Sequence, residues 1–357
     1  LKRKLPPRWP PLAAALMVAV RGRGAPLIAA LLALRIAFAG LPAFQVLRPA
    51  ARLHGAQPAS RRMQTSTALR ASSAREWLEQ EGYEVKEEAS TGGSGWSSFK
   101  VIKTNQGDFF VKGSNRPAAD MFEGEALGLR ALGAAGGVRV PKVLHYGDTG
   151  SRSSIIIMEK LDLGGRLDMT EFGRAMARMH LAEPSMPEAK EGKFGFAVHN
   201  TIGGTPQMND WDDDWPRFFR DQRIGYQVRR AGRTSLSDIW KRVLDKTDNL
   251  RTLFEDGPVR PSVLHGDLWS GNYAGSPEGA VIFDPAVYYG HHEAEWGMSW
   301  CASFSGSFWT GYREVIPEAP LFKKRRPLYE AYHIINHYNL FGGGYLSQAE
   351  RLLEELL

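Results

Sequence analysis

The amino-acid sequence predicts an α+β fold of two lobes, with a small antiparallel β lobe followed by a larger helical lobe. Three observations support this prediction. Strand-like segments fill the first part of the folded chain, at 83–89, 97–104, 108–112 and 154–158. From Thr170 onward, apolar residues recur mainly at helical spacing. The polar motif HGDLWSGN at 265–272 lies in this second part and is followed by Asp284 at the end of an apolar run.

Residues 1–72 have the composition of a targeting leader. Residues 1–75 contain thirteen Lys and Arg and no Asp or Glu. An apolar run at 25–34 is short for a membrane span, and arginines among Ala, Ser and Thr follow it. A signal-like run before a transit-like run predicts import into a plastid, and the segment 37–44 resembles the cleavage motif of such leaders. Mitochondrial import, a single membrane anchor and mistranslated upstream sequence are the alternatives.

The formal net charge of +6 comes from this leader. The remaining 282 residues hold 32 of the 45 basic side chains and all 39 acidic ones, a net charge of −7. A basic face for nucleic acid is therefore not expected on the folded part. Cys301 is the only cysteine, so no intramolecular disulfide can form, and a small buried hydrophobic side chain is expected there.

The predicted elements follow in order along the folded part. Ser73 and Glu76 have the spacing of a capping box and open a helix that Gly82 ends. The segment 118–132 predicts the helix of the small lobe, and another strand follows Pro141. The helices of the second lobe are expected at 170–181, 213–230, 235–254, 292–303 and 322–340.

The motif at 265–272 and the aspartate that follows it indicate phosphoryl transfer. Protein kinases use the frame H-x-D-x-x-x-x-N followed by a metal-binding Asp, because the reaction needs a carboxylate base and oxygen ligands for magnesium. In this frame Asp267 is the catalytic base, and Asn272 and Asp284 are the Mg²⁺ ligands. The prediction is an ATP- and Mg²⁺-dependent enzyme of bilobal, protein-kinase-like fold. The alternative is a turn rich in Asp, Asn and Gly between two strands.

The small nucleotide-binding lobe, assigned to 73–161, offers a glycine-rich loop and a hinge. Gly93 and Gly95 lie between the first two strands, where glycines let backbone N–H groups approach phosphates. A flexible turn explains the same glycines equally well. Glu159 and Leu161 follow the buried Ile run, where a hinge presents backbone groups to adenine, and an ordinary strand end is the alternative.

Lys112 ends an apolar strand, the position of the kinase lysine that contacts the phosphates and pairs with a helix glutamate. A lysine at a strand end is also commonly just solvated. The following helix offers Glu125, which we prefer, and Glu123. Residues 162–357 are assigned to the helical catalytic and substrate-binding lobe.

Seven segments of the folded part carry a resemblance to a known family. They are MFEGEA at 121–126, KFGF at 193–196, TIGGTPQ at 201–207, DDW at 213–215, HGDLWSGN at 265–272, DPAVYYGH at 284–291 and NHYNLFG at 336–342. The chain resembles the fructosamine/ketosamine-3-kinase family, and within it the plant plastid branch, over about residues 83–345. The resemblance implies an aminoglycoside-phosphotransferase-like kinase that uses ATP to phosphorylate the 3-hydroxyl of a ketosamine, the sugar adduct of a lysine. Elimination of the phosphate then frees the amine, so the implied role is deglycation.

The resemblance also suggests the acceptor and one departure from the family. Ribulosamine and erythrulosamine adducts, protein-bound or free, are the expected substrates, with fructosamine as a further one. Members of the family often carry a cysteine in the glycine-rich loop, where this chain has Trp96, so redox switching through that loop is not expected.

A cationic amine needs anionic or aromatic partners, and four residues of the large lobe are candidates. These are Asp214, Trp269, His291 and Glu295. The acids at 212–214 also suit a helix N-terminus, which we favour. His291 and Glu295 lie four apart on an expected helix, where a metal pair is less favoured than packing or substrate contact. Trp269 is expected in a wall of the acceptor pocket or in the core.

The expected partners are therefore glycated proteins or free ketosamines, with no nucleic acid and no stable membrane association after processing. A monomer or weak dimer is expected. A kinase of another small hydroxylated acceptor, such as an aminoglycoside or choline, is the first alternative. A non-catalytic module on the same fold is the second, and the presence of Lys112, Asp267, Asn272 and Asp284 weighs against it.

Overall fold

The small lobe is built on one antiparallel sheet. The structure is a computed structural model that describes residues 73–93, 97–149 and 152–357, so the predicted leader, Gly95 and Trp96 lie outside the described residues. The five strands of the small-lobe sheet pair in the order β1-β2-β3-β5-β4. They are β1 (Val85–Gly93), β2 (Ser97–Thr104), β3 (Gly107–Ser114), β4 (Val143–Asp148) and β5 (Ser154–Glu159). The predicted strands are all present, and β1 and β3 extend beyond the predicted ends.

Two helices pack on this sheet or beside it. Helix α1 (Ala74–Gln80) begins after Ser73, whose hydroxyl accepts a hydrogen bond from the N–H of Glu76 at 3.2 Å, as the capping spacing predicts. Helix α2 (Ala119–Ala135) lies between β3 and β4 in the chain. A Cβ atom on Gly128 would lie 2.8 Å from the Val287 side chain, so the glycine permits α2 to pack directly against the large lobe.

The large lobe is mainly helical, and three of its expected helices differ from the prediction. Its α-helices are α3 (Met169–Leu181), α4 (Pro187–Lys190), α5 (Trp215–Phe218), α6 (Gly225–Ala231), α7 (Thr234–Lys246), α8 (Ser299–Ala302), α9 (Gly306–Val315), α10 (Phe322–Phe341) and α11 (Tyr345–Glu354). The helix expected over 213–230 contains a π-helical turn, Phe219–Ile224, between α5 and α6. The helix expected over 235–254 ends at Lys246, because the backbone turns through positive φ angles at 248–250 before a short 3₁₀-helix, Arg251–Phe254. The helix expected over 292–303 is instead a 3₁₀-helix, His292–Met298, followed by α8.

Six short strands position the predicted catalytic segment. They are β6 (Asn200–Ile202), β7 (Thr205–Gln207), β8 (Ser262–Leu264), β9 (Tyr273–Ser276), β10 (Gly279–Ile282) and β11 (Tyr288–Gly290). Strand β8 pairs with β11, and β9 pairs with β10 as a hairpin. The motif at 265–272 therefore connects β8 to β9, and Asp284 lies between β10 and β11, so the two pairings bring these polar loops together.

The main hydrophobic core extends from α2 through the large lobe, and a second, smaller cluster lies between α1 and the sheet. That second cluster is built on Leu78, Ile102, Val111 and Ile157. In the part of the chain that the structure describes, none of the helices is both long and apolar enough to cross a bilayer.

Candidate active site

Lys112 joins the two lobes through two carboxylates. Its Nζ lies 2.5 Å from Glu125 Oε1 on α2 and 2.8 Å from Asp284 Oδ1 in the large lobe. Of the two glutamates considered for this lysine, Glu125 is the one that contacts it. Burial disfavours the charge on Lys112, but the nearby carboxylates outweigh burial and raise its pKa above the ordinary value. The lysine is therefore a fixed cation at the junction of the lobes.

Asp267 and Asn272 lie at the two ends of the same loop and contact each other. The Asn272 Nδ2 group donates to the backbone oxygen of Asp267 at 2.8 Å, to its Oδ2 at 3.4 Å and to the backbone oxygen of Asp284 at 3.3 Å. His265 Nε2 donates to the backbone oxygen of Phe283 at 2.9 Å. The loop that carries Asp267 is thus tied to the segment that carries Asp284.

Asp284 has an unusual backbone conformation. Its φ is +61°, in the left-handed region that residues other than Gly, Asn and Asp rarely adopt. The strand pairs on either side hold it there, because β10 ends at Ile282 and the N–H of Ala286 donates to the backbone oxygen of His265 at 2.8 Å. In this turn the Asp284 carboxylate lies 2.8 Å from Lys112 Nζ, at the junction of the lobes.

The donor set at this junction fits a magnesium ion. Mg²⁺ prefers oxygen ligands, and Asn272 and Asp284 supply an amide oxygen and a carboxylate on neighbouring turns. Nδ2 of Asn272 donates hydrogen bonds to Asp267 and to the backbone of Asp284, so Oδ1 is the atom that would bind a metal. Both residues are buried, which suits ligands that must be held in fixed positions.

The glycine-rich loop is described only in part, whereas the expected hinge at Glu159 and Leu161 lies within the described residues. Gly93 ends β1 in the hairpin that leads to β2, and its role toward ATP stays a prediction. Both oxygens of the Glu159 carboxylate are already hydrogen-bonded within the protein. Oε1 lies 2.5 Å from Arg139 Nη2, and Oε2 accepts a hydrogen bond from the N–H of Lys142 at 3.3 Å. A contact of Glu159 or Leu161 with adenine would therefore involve their backbone groups.

Two of the four predicted substrate residues, Asp214 and Trp269, are partly exposed. Asp214 is the N-cap of α5, where its Oδ1 accepts from the N–H of Arg217 at 2.7 Å, as the favoured interpretation expects. Trp269 is partly exposed and its indole ring covers Gly271, because a Cβ atom on that glycine would lie 2.3 Å from the ring. Trp269 remains a candidate wall of the acceptor pocket.

His291 and Glu295 are both buried and hydrogen-bonded, which fits the packed role that was left open for them beside substrate contact. His291 Nδ1 lies 2.7 Å from the Tyr329 hydroxyl, and burial lowers the pKa of its imidazole well below the ordinary value. Glu295 accepts hydrogen bonds from the backbone N–H groups of His265 and Gly266. The 3₁₀ conformation also separates the two residues, since one turn takes three residues instead of nearly four.

One group of possible metal ligands lies outside this junction. Among the described residues, His291, His292 and Glu293 offer ligand atoms within 4.8 Å of one another. The Glu293 carboxylate, however, receives two hydrogen bonds from Arg325, each of 2.7 Å. A guanidinium therefore already neutralises the carboxylate that a metal would need.

Sequence reasoning missed one supporting residue, Arg139, and the supporting contact of another, Glu295. Arg139 contacts Glu159 of β5 and Glu278 of the β9–β10 hairpin, and its backbone oxygen accepts from the N–H of Ile282 at 2.9 Å. Glu295 was noticed for its charge, but its contact with the catalytic loop was not. Both contacts join segments far apart in the chain, and no local pattern signals them.

A β lobe and a helical lobe joined by a buried Lys–Glu–Asp cluster, with an Asp and an Asn on the adjoining loop, define a phosphotransferase of protein-kinase-like fold. The chain belongs to the fructosamine kinase family, whose model matches residues 69–357.

Relatives and solved structures agree with this membership. The chain is 43% identical over 319 residues to the chloroplastic protein-ribulosamine 3-kinase of Oryza sativa subsp. indica, covering 87% of this chain and 91% of the rice protein. A crystal structure from Thermobifida fusca, assigned as a fructosamine-3-kinase, is 30% identical with a TM-score of 0.68, covering 79% of this chain and 97% of that chain.

A more distant structure shares the fold alone. It is a thermostable mutant of the aminoglycoside phosphotransferase APH(4)-Ia in ternary complex with AMP-PNP and hygromycin B. The identity is 16%, the TM-score is 0.54, and the match covers 80% of this chain and 98% of that chain.

Proposed function

We propose that this protein is a ketosamine 3-kinase that uses ATP and Mg²⁺ to phosphorylate the 3-hydroxyl of ribulosamine, erythrulosamine and fructosamine adducts. The observation that carries the proposal is the junction of Lys112, Glu125 and Asp284 beside Asp267 and Asn272, in a chain of the fructosamine kinase family. The name of the rice relative, a protein-ribulosamine 3-kinase, supports the ketosamine acceptor.

The roles follow from the chemistry of each group. Lys112, held by Glu125, is a cation for the phosphates of ATP. Asp267 is the base that accepts the proton of the acceptor hydroxyl. Asn272 and Asp284 are the ligands for Mg²⁺, which when bound neutralises negative charge on the phosphates. Gly93 and Gly95 of the hairpin loop and the hinge backbone at Glu159 and Leu161 complete the nucleotide site.

A panel of acceptors tests the proposal. The protein is incubated with Mg·ATP and free ribulosamine, erythrulosamine and fructosamine, a glycated protein, an aminoglycoside and choline, and phosphate transfer is measured by mass spectrometry. The expected result is phosphorylation of the ketosamines, followed by release of the free amine. Transfer to the aminoglycoside or to choline with none to the ketosamines would instead favour the alternative acceptor. The Asp267→Asn variant is the control for contaminating kinases.

We also propose that residues 1–72 direct the protein into the plastid. The acid-free, arginine-rich composition of this segment and the chloroplastic name of the rice relative support this. Residues 1–72 fused to a fluorescent protein should accumulate in plastids of a plant cell. Accumulation in mitochondria would overturn the plastid assignment.

A further inference from the structure

The turn that precedes the catalytic base is held by side chains. Its first two N–H groups donate to one carboxylate: that of His265 to Glu295 Oε2 at 2.7 Å, and that of Gly266 to Glu295 Oε1 at 2.9 Å. The third, of Asp267, donates to His265 Nδ1 at 3.3 Å. Three consecutive N–H groups are thus satisfied by side chains instead of by backbone carbonyls.

Gly266 makes this turn possible but does not fix it. Its φ is +77°, and a Cβ atom there would lie 2.2 Å from the backbone oxygen of Ala286. Glycine occupies many backbone conformations at little cost, so the orientation of the turn must come from its hydrogen-bond acceptors. Glu295 is the acceptor for two of the three peptide groups.

The Glu295 carboxylate is itself fixed from behind. Its side chain is 0% exposed, as is that of His180 on α3, and His180 Nε2 lies 3.3 Å from Glu295 Oε2. His180 Nδ1 lies 2.8 Å from the Tyr312 hydroxyl on α9. Because a carboxylate accepts hydrogen bonds, the imidazole donates to it from Nε2. Three donors thus hold this one buried carboxylate.

We propose that Glu295 is a positioning residue for phosphoryl transfer, which holds the peptide groups of His265 and Gly266 and so fixes the direction of the Asp267 carboxylate. This inference rests on the proposed function. The effect extends beyond the base, because His265 of the same turn donates to Phe283, the residue before Asp284. Glu295 touches neither substrate nor nucleotide, since it is completely enclosed.

The Glu295→Gln variant tests this role. An amide has one acceptor oxygen and one NH₂ group, so one of the two backbone N–H groups would face a donor. The expected result is a fall in kcat of about 10²-fold, the cost of a misplacement of about 1 Å, with the KM for ATP unchanged. An unchanged kcat would overturn the proposal, and so would a loss confined to KM.

Glu293→Gln is the matched control for burial. Glu293 lies in the same 3₁₀-helix, is equally buried and pairs with Arg325 instead of the catalytic turn. It should lower the melting temperature at least as much as Glu295→Gln does and leave kcat near that of the wild type. An equal fall of kcat in both variants would mean that Glu295 acts through stability alone.

Hydrogen exchange of the peptide 262–268 gives a second measurement that needs no acceptor. In the full-length protein, the amides of His265 and Gly266 should exchange faster in Glu295→Gln than in the wild type or in Glu293→Gln. Unchanged protection in Glu295→Gln would contradict the proposal even if no ketosamine were phosphorylated. If the turn loses protection but no tested acceptor is phosphorylated, the proposed substrate fails and the structural role of Glu295 stands.

Discussion

Asp267 combines burial with direct contact to a predicted metal ligand. Its backbone and carboxylate oxygens both accept from Asn272. Since a backbone contact survives substitution of the side chain, the loop should keep its shape when only the charge is removed. Replacement of Asp267 by the isosteric Asn therefore tests the charge of the side chain separately from the shape of the loop.

Asp267→Asn is expected to lower kcat by about 10²–10⁴-fold, because the acceptor hydroxyl loses its base. The Mg·ATP affinity should stay near that of the wild type. Steady-state kinetics with ribulosamine and calorimetry with Mg·ATP provide the two measurements. Asp245→Asn, which changes an exposed aspartate on α7, is the control. Near-normal turnover of Asp267→Asn would remove this residue from the role of base.

Asp284→Asn separates the charge of the ligand from its backbone conformation, because Asn tolerates a left-handed φ. We expect Mg²⁺-dependent nucleotide affinity to fall by about 10–100-fold, the factor for about 1.5–3 kcal/mol in one interaction with a charged group. Asp248→Asn is the control, since Asp248 also has a positive φ, of 45°, and is exposed. Unchanged Mg·ATP affinity by calorimetry would count against Asp284 as a metal ligand.

At the scale of elements, the site depends on how β3 and α2 face each other. Lys112 lies on β3 and Glu125 on α2, and the glycine at 128 lets that helix approach the large lobe. Among the described residues, Asp284 would remain as the partner of Lys112 if Glu125 were lost. The lysine would then be drawn toward the metal ligand and away from the phosphates.

Glu125→Gln should therefore lower kcat/KM for ATP by about 10–100-fold, the range for one charge-assisted hydrogen bond. Glu123→Gln, two residues earlier on the same helix and therefore on a different side of it, should have little effect. Initial rates at varied ATP concentration distinguish the two variants. An equal effect of both changes would indicate that the helix, not the ion pair, was disturbed.

The sequence predicted some of the long helices well and the tertiary contacts poorly. The helices expected at 170–181 and 322–340 match α3 and α10 within a residue. The apolar periodicity of α3 reflects one buried face, whereas α10 is buried on nearly all sides over 327–336. Strands β8 and β11 have only three residues each and pair across a gap of more than twenty residues, so no local pattern reveals them.

The 3₁₀-helix at 292–298 shows why the contact of Glu295 with the catalytic turn could not be predicted from the sequence. The four-residue spacing of His291 and Glu295 suggested one helical face, and an α-helix would have provided it. Instead the segment packs closely on α10, where a Cβ atom on Gly297 would lie 2.5 Å from the backbone oxygen of Tyr329. Packing and the contact with the catalytic turn decided the conformation, and neither is encoded in local spacing. By contrast, Asp267, Asn272 and Asp284 were found because their frame is short and chemically specific, although their roles remain predictions.

At the scale of the whole molecule, the small lobe depends on its first helix. Leu78 of α1 is fully buried, and Trp77 stacks on His145 of β4 with ring centroids 4.5 Å apart. The helix also begins at its own cap, Ser73. These contacts mark Ser73 as the natural start of a shortened chain.

A chain that begins at Ser73 is expected to be folded and active, with a melting temperature close to that of the full-length protein. A chain that begins at Gly82 loses α1 and should melt at least about 5 °C lower, since loss of one buried leucine alone costs about 2–5 kcal/mol. Calorimetry and the ketosamine assay on both chains make the comparison. Inactivity of the chain that begins at Ser73 would show that residues 1–72 contribute to the folded enzyme.

The single thiol should not make the enzyme redox-sensitive. Burial, with a further contribution from the negative charge of Asp267, raises the pKa of Cys301 to about 12, so the reactive thiolate is scarce at neutral pH. Peroxide should therefore neither change the activity nor produce a dimer on non-reducing electrophoresis. Cys301→Ser is the control, and a reversible, activity-linked dimer in that variant would contradict the expectation.

Arg139 makes the place of a predicted metal ligand depend on the small lobe. Its backbone oxygen accepts a hydrogen bond from the N–H of Ile282, two residues before Asp284, and its side chain contacts Glu159 of β5 and Glu278 of the β9–β10 hairpin. The hairpin that leads to Asp284 is therefore supported by a residue that lies between α2 and β4 in the chain, so the two lobes build this part of the site together.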